Sequence, residues 1–216
     1  MNAFPSPGLP GILPEVSLSI TFLAGAALLT ALLAVAAPSF AAKPAKSAKS
    51  DYVGALTIMY GDNHAFGIIP PEGWAVDDSS GINSKIRVVL YPIGQKWDSA
   101  PTVMYVNPLH GYGAKARTVS ALIAEDEKSF RQRTPRGKVT EGGTIQTTGK
   151  KTAVVRYFSS DGGPAHEAVA YVPEAEMVML LVLSSKTPEG FQGALAAYRE
   201  MVQSYAWVAS NAEMGR

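Results

Sequence analysis

Residues 165–207 read AHEAVAYVPEAEMVMLLVLSSKTPEGFQGALAAYREMVQSYAW. The reading of this stretch decides the fold. Ala168 to Val172 are small, β-branched or aromatic, which suits a pleated strand. Pro173-Glu174-Ala175-Glu176 interrupts them with a proline and two charges, the composition of a turn. Met177 to Leu183 is then wholly apolar. A short run with both faces apolar is a strand covered on both sides or a helix segment, and its valines and flanking turns favour the strand. Alternation then predicts Val178, Leu180 and Val182 on one face, and Met177, Met179, Leu181 and Leu183 on the other. A sheet covered on both faces needs layers above and below it.

A helix follows at once. Thr187 suits the N-cap, Pro188 the first helical position and Glu189 the positive end of the dipole. Phe191, Ala194, Leu195, Tyr198, Met201, Val202 and Tyr205 then recur at helical spacing. Trp207 and Val208 are expected to return to the sheet as a closing strand.

Upstream, Ala55–Tyr60 and Ala65–Ile69 read as a hairpin around Gly61-Asp62-Asn63-His64. Ala75–Asp77, Ile86–Tyr91 and Thr102–Val106 are expected strands, the last closed by Asn107-Pro108. Thr118 is expected to cap a helix over Val119–Arg133. Asp126 interrupts its apolar stripe, so this helix should be less buried than the second. Lys138–Thr147 and Lys150–Ser159 form a further hairpin around Thr148-Gly149. Several strands, one helix, several strands and one helix predict an α+β domain. Its central antiparallel sheet would be covered by helices on both faces.

The ends of the chain have their own character. Val16 to Ala37 is apolar and uncharged, and small residues follow at Ser39 and Ala41. This pattern predicts a secretory signal peptide over residues 1–41, cut after Ala41. Glu15 and the lack of Lys or Arg in the leader disagree, and the run is long enough to span a bilayer. The alternative is an uncleaved anchor, with Val16 to Ala37 as the membrane contact and the domain held in the cytoplasm by Lys43, Lys46 and Lys49. Residues 42–50 are expected to be a flexible linker, 51–210 the domain and 211–216 a tail.

Composition narrows the function classes. The net charge is +1, which gives no electrostatic case for nucleic acid. The chain has no cysteine, so it has no disulfide, thiolate metal site or cysteine nucleophile. No cofactor-binding motif is present, and no cofactor is expected. The partner expected is another protein of the cell envelope.

Phe66-Gly67-Ile68-Ile69-Pro70-Pro71-Glu72-Gly73-Trp74 resembles the opening signature of PsbP-like domains. The far end is similar too, where a buried strand, Thr187-Pro188-Glu189, an amphipathic helix and Tyr205-Ala206-Trp207-Val208 follow in order. The resemblance covers about Ala55 to Val208. It implies a PsbP-like α/β/α sandwich and a role in binding rather than catalysis. It assigns no ligand residue.

The candidate site residues lie in or beside expected loops, where sites often are. Trp97, His110 and Tyr112, from Ile93–Pro101 and Leu109–Arg117, are expected to form a recognition surface, since aromatic side chains suit interfaces. Asp161, His166 and Glu167 offer metal-ligating atoms, although no paired-histidine spacing is present. His64 is the remaining histidine. Turn-forming polar residues account better for the histidines, Asp161 and Glu167, and core or rim packing accounts better for Trp97 and Tyr112. The competing class is an envelope enzyme, such as a metal-dependent hydrolase using loop histidines. It requires the histidines and nearby acids to converge.

Overall fold

The computed structural model describes residues 55–61, 64–84, 86–112, 118–160 and 166–210. All of them fall within one compact unit, Val53–Arg216. The expected leader, linker and tail lie outside the described residues, as do Asp161 and part of the 109–117 segment. Among the described residues, no helix is long and apolar enough to cross a membrane.

The chain is mostly sheet. Its strands are β1 (Thr57–Tyr60), β2 (His64–Ile68), β3 (Trp74–Asp77), β4 (Val88–Pro92) and β5 (Thr102–His110). Helix α1 (Val119–Arg133) precedes β6 (Lys138–Gln146), β7 (Thr152–Ser159), β8 (His166–Pro173) and β9 (Met177–Ser185). Helix α2 (Pro188–Ser204) and β10 (Ala206–Ser210) complete the order. Every strand pairing is antiparallel.

The expected single sheet is in fact two. Seven strands form one in the order β3-β4-β5-β9-β8-β7-β6, and three form another in the order β1-β2-β10. Beyond β2 the Ile69 amide donates to Ser204 Oγ at 2.8 Å, and Pro70 and Pro71 have no amide hydrogen to carry the ladder onward. β3 therefore joins β4 instead. The end of the chain, not its neighbour in sequence, completes the small sheet, as β10 pairs with β2.

β9 is the spine of the large sheet. It pairs with β5 along Thr102–His110 and with β8 along His166–Pro173. Its side chains divide as alternation predicts. Met177, Met179, Leu181 and Leu183 pack with Phe191, Ala194, Tyr198, Met201 and Val202 of α2 and with Met59, Phe66 and Ile68 of the small sheet. Val178, Leu180 and Val182 pack in a second cluster with Leu122 and Ile123 of α1.

Both helices begin as the sequence indicates. Thr118 Oγ1 accepts from the Ala121 amide at 3.2 Å, and Thr187 Oγ1 from the Gly190 amide at 3.1 Å. These caps satisfy amides that have no partner within the helix. β5 runs past its expected stop at Asn107-Pro108. Its ladder with β4 ends at Val106, so at Pro108 the strand has only β9 beside it. A proline is tolerated in a strand where one side is unpaired.

Candidate functional site

The hairpin β1–β2 brings its tip to the end of β5. His64, first in β2, is buried, with its ring stacked 5.8 Å from Trp207 and 6.1 Å from Phe66. Gly61 makes this possible, because a Cβ there would come within 2.2 Å of the imidazole. The Gly61 amide also donates to the His64 carbonyl at 2.8 Å and closes the turn. His110, the exposed last residue of β5, meets the His64 ring edge-on at 6.0 Å. Two of the three histidines thus converge, carried by different sheets.

His166 does not join them. It is paired with Ser185, whereas His110 is paired with Met177, at the other end of β9. At about 3.3 Å per residue these positions are roughly 26 Å apart. His166 and Glu167 are also adjacent on one strand, so they face opposite layers. The His166 ring lies 5.9 Å from Phe191 of α2, while Glu167 answers to Asp126 and Arg133 of α1. The expected metal set of Asp161, His166 and Glu167 is therefore split, and Asp161 is outside the described residues. Among the described residues, no three His, Cys, Asp or Glu side chains are grouped as metal ligands would be.

The expected recognition trio is separated as well. Trp97 meets Tyr105 edge-on at 6.3 Å and packs on the α1 side of the large sheet. Tyr112 is buried in that same layer, with its hydroxyl donating to Glu125 Oε2 at 2.7 Å. Only His110 of the three is exposed, and it belongs to the His64 corner. Tyr112 ties this layer to α1 through Glu125, while the half-buried Trp97 packs against Tyr105 of β5.

Buried acids lie where the sequence signalled solvent. Asp126 faces the sheet and accepts from the Tyr171 hydroxyl at 2.9 Å. Burial raises its pKa to about 6, against the pull of Tyr171. Burial likewise raises Glu167 to about 7, and hydrogen bonding from Ser184 opposes the rise. Glu167 Oε1 is buried with no hydrogen-bond partner among the described residues. Glu174 in the β8–β9 turn is buried too, and it receives Lys151 Nζ at 3.0 Å and the Tyr205 hydroxyl at 3.1 Å. Raised carboxyls suit acid–base work. Here they serve to hold layers together, since Asp126 joins α1 to β8 and Glu174 joins the β6–β7 turn to the end of α2.

Among the described residues, four of the six exposed large apolar side chains, Leu56, Ile58, Tyr60 and Val208, lie on or beside the small sheet, and the other two are Ile82 and Ile93. Phe66 is paired with Met59 on one side and Trp207 on the other, and all three turn inward. Their neighbours turn out, and Ile58 is 42%, Tyr60 71%, Leu56 50% and Val208 45% exposed. Gly67 leaves room for Leu56, whose Cδ1 would sit 2.8 Å from a Cβ there. In Leu56-Thr57-Ile58-Met59-Tyr60 only Thr57 is polar, and it lies on the same side as the buried Met59, so the sequence carried no sign that Leu56, Ile58 and Tyr60 would remain outside.

No family model matches the chain, and no curated protein matches it significantly. Among solved structures it is similar to cyanobacterial PsbP (CyanoP) from Synechocystis. The identity is 10% and the TM-score 0.48, over 77% of this chain and 100% of that one. It is also similar to LpqN of Mycobacterium tuberculosis, described as involved in cell envelope biogenesis. That match has 14% identity and a TM-score of 0.46, over 72% of this chain and 91% of that one. A Bacteroides thetaiotaomicron protein matches at 8% identity and a TM-score of 0.37, and the chain spans 45% of its length.

Proposed function

We propose that this chain is an exported, non-catalytic recognition module that binds another protein of the cell envelope. The observation that carries the reading is the outer face of the small sheet. Leu56, Ile58, Tyr60 and Val208 are all more than 40% exposed. Exposed apolar side chains gathered on one sheet are a mark of an interaction site. Tyrosine adds a large, amphipathic contact of the kind enriched in interfaces. The scaffold beneath it is an α/β/α sandwich in our reading, with α1 and α2 on opposite faces of the large sheet.

The test is a double variant, Tyr60→Ser with Val208→Ser, compared with wild type in capture from the native envelope fraction. Both side chains are outside the packed core, so the melting temperature should stay within about 2–4 °C. A partner retained by wild type and lost by the variant supports the reading. Equal capture by both refutes it.

Export rests on the small residues at Ser39 and Ala41 after the apolar run. N-terminal sequencing of the protein from its own cells should then begin near Ala42. Recovery of an intact Met1 in the membrane fraction would show an anchor instead.

A competing reading, a metal-dependent hydrolase, has one observation in its favour. His64 and His110 come together at 6.0 Å. Histidines on the described residues find no further metal-ligating group to join them, and catalysis is the weaker proposal.

A further inference from the structure

β1 is the outer strand of the small sheet, and among the described residues its edge has none of the devices that usually guard one. Residues Thr57-Ile58-Met59-Tyr60 include no charge, proline or glycine. Their register with β2 is continuous, without a bulge. The other outer strands differ. β6 carries Lys138 and Glu141 and is broken by a bulge between Glu141 and Gly143, where Gly143 has φ +75°. β10 is bulged between Trp207 and Ala209, and the Thr148 and Gly149 amides cover its entry by donating to Gln203 and Tyr205. β3 ends at Asp77, whose carboxylate is folded back onto the Ser79 and Ser80 amides.

We infer that β1 pairs antiparallel with β1 of a second copy of this chain, joining two small sheets into one. It rests on the reading of this sheet as the recognition element and adds the edge to the face. Three features point to a copy of itself as the occupant. A two-fold axis sets every side chain near its own counterpart, so a charged strand would repel itself and β1 does not. Paired residues must share a face, so the sum of their numbers must be even. The register centred on Ile58 meets that condition. It sets Ile58 against its own copy, Leu56 against Tyr60 of the partner copy, and Thr57 against Met59 of the partner copy. Outward residues meet outward residues, and the two exposed faces become one continuous apolar surface. A slip by one residue would bring Ile58 opposite the inward Met59 and is excluded by the same parity. The pairing leaves Val208 on the joined face, free for the envelope partner.

The absence of cysteine supplies a clean probe. In Ile58→Cys, the symmetric pair would have its Cα atoms about 4.5–5.5 Å apart, within disulfide reach. Mild oxidation should convert most of this variant to a covalent dimer. Glu72→Cys, at an exposed site outside the small sheet, should form no covalent dimer. By sedimentation, wild type should be a dimer and Ile58→Lys a monomer that melts as wild type does at concentrations too low for the dimer. Wild type that sediments as a monomer at ~100 μM, or Ile58→Lys that remains a dimer, would overturn the pairing. Val208→Ser keeps the two readings apart, because it alters the face and leaves the edge alone. Capture lost by Val208→Ser while its dimer persists supports both readings. Failure of the dimer with capture intact removes the self-pairing alone. A dimer that forms while capture never depends on the face removes the recognition reading alone.

Discussion

Leu181→Ala is expected to lower the free energy of unfolding by about 2–5 kcal/mol. Leu181 is fully buried at the middle of β9, the strand with long partners on both sides. Its neighbours across the ladders are Val106 and Ala170, and both are fully buried. Truncation would remove the apolar contacts and leave a cavity between the sheet and α2. The surroundings cannot collapse easily into that space. Tyr198 lies over the site with its hydroxyl bonded to the Leu181 carbonyl at 3.0 Å, which fixes the helix against the strand. Ile58→Ala provides the contrast. Its side chain is already 42% exposed, so in the isolated monomer its truncation should change stability by about 0.5 kcal/mol or less. Denaturant melts of the two variants at low protein concentration would check both values. A loss below about 1 kcal/mol for Leu181→Ala would mean that β9 is not the core of the domain.

The β9–α2 unit was legible because its signals are local. An uninterrupted apolar run, a Thr-Pro-Glu start and a helical stripe sit within 40 residues of one another, and each states its own structure. Asp126 was misleading for the opposite reason. It interrupts the stripe of α1 and so reads as solvent-facing, but its partner Tyr171 is 45 positions away on β8. Glu174 reads as a turn charge, and its partners Lys151 and Tyr205 come from a distant hairpin and from the end of α2. The division into two sheets depends on β10 finding β2 across nearly the whole domain, and no local pattern announces such a pairing. The same holds for the corner where His64 meets His110. Residue types suited to a site were visible, but which of them would meet was a property of the register. Tyr112 shows the converse: an aromatic residue after a Gly-rich turn looked like a surface group and is buried under α1. The exposed face was hidden in β1 because its outward positions are apolar and one of its inward positions, Thr57, is polar.

Stability should fall as pH rises from about 4 to 7. Asp126 has its pKa raised from 3.8 to about 6, first by burial and also by Glu125, with Tyr171 and Arg133 opposing. Glu167 is raised from 4.5 to about 7, again by burial first. Tyr105 is raised by burial and by both of these acids, so the three share one layer beneath α1. A carboxyl whose folded pKa is raised holds its proton more tightly in the native state than in the unfolded chain. Between the two values the native state binds more protons, and the unfolding free energy must decrease with pH. The contribution is complete below the unfolded value and is lost as pH climbs through the folded one. For Asp126 alone the difference corresponds to about 3 kcal/mol. Asp77 acts in the other direction and at lower pH. Hydrogen bonds from Ser80 and Ser79 hold its carboxyl well below the usual range, so its share of stability is lost in strong acid. Asp126→Asn is the direct test. The amide imitates the protonated acid and its oxygen can still accept from the Tyr171 hydroxyl. The variant should match wild type near pH 4 and exceed it by about 3 kcal/mol at pH 8, with a flatter profile between. Denaturant melts across that range would read the difference. A variant that is less stable than wild type at pH 8 would show that the ionised Asp126 is stabilising, through a stronger hold on Tyr171 or Arg133 than on its own lost hydration.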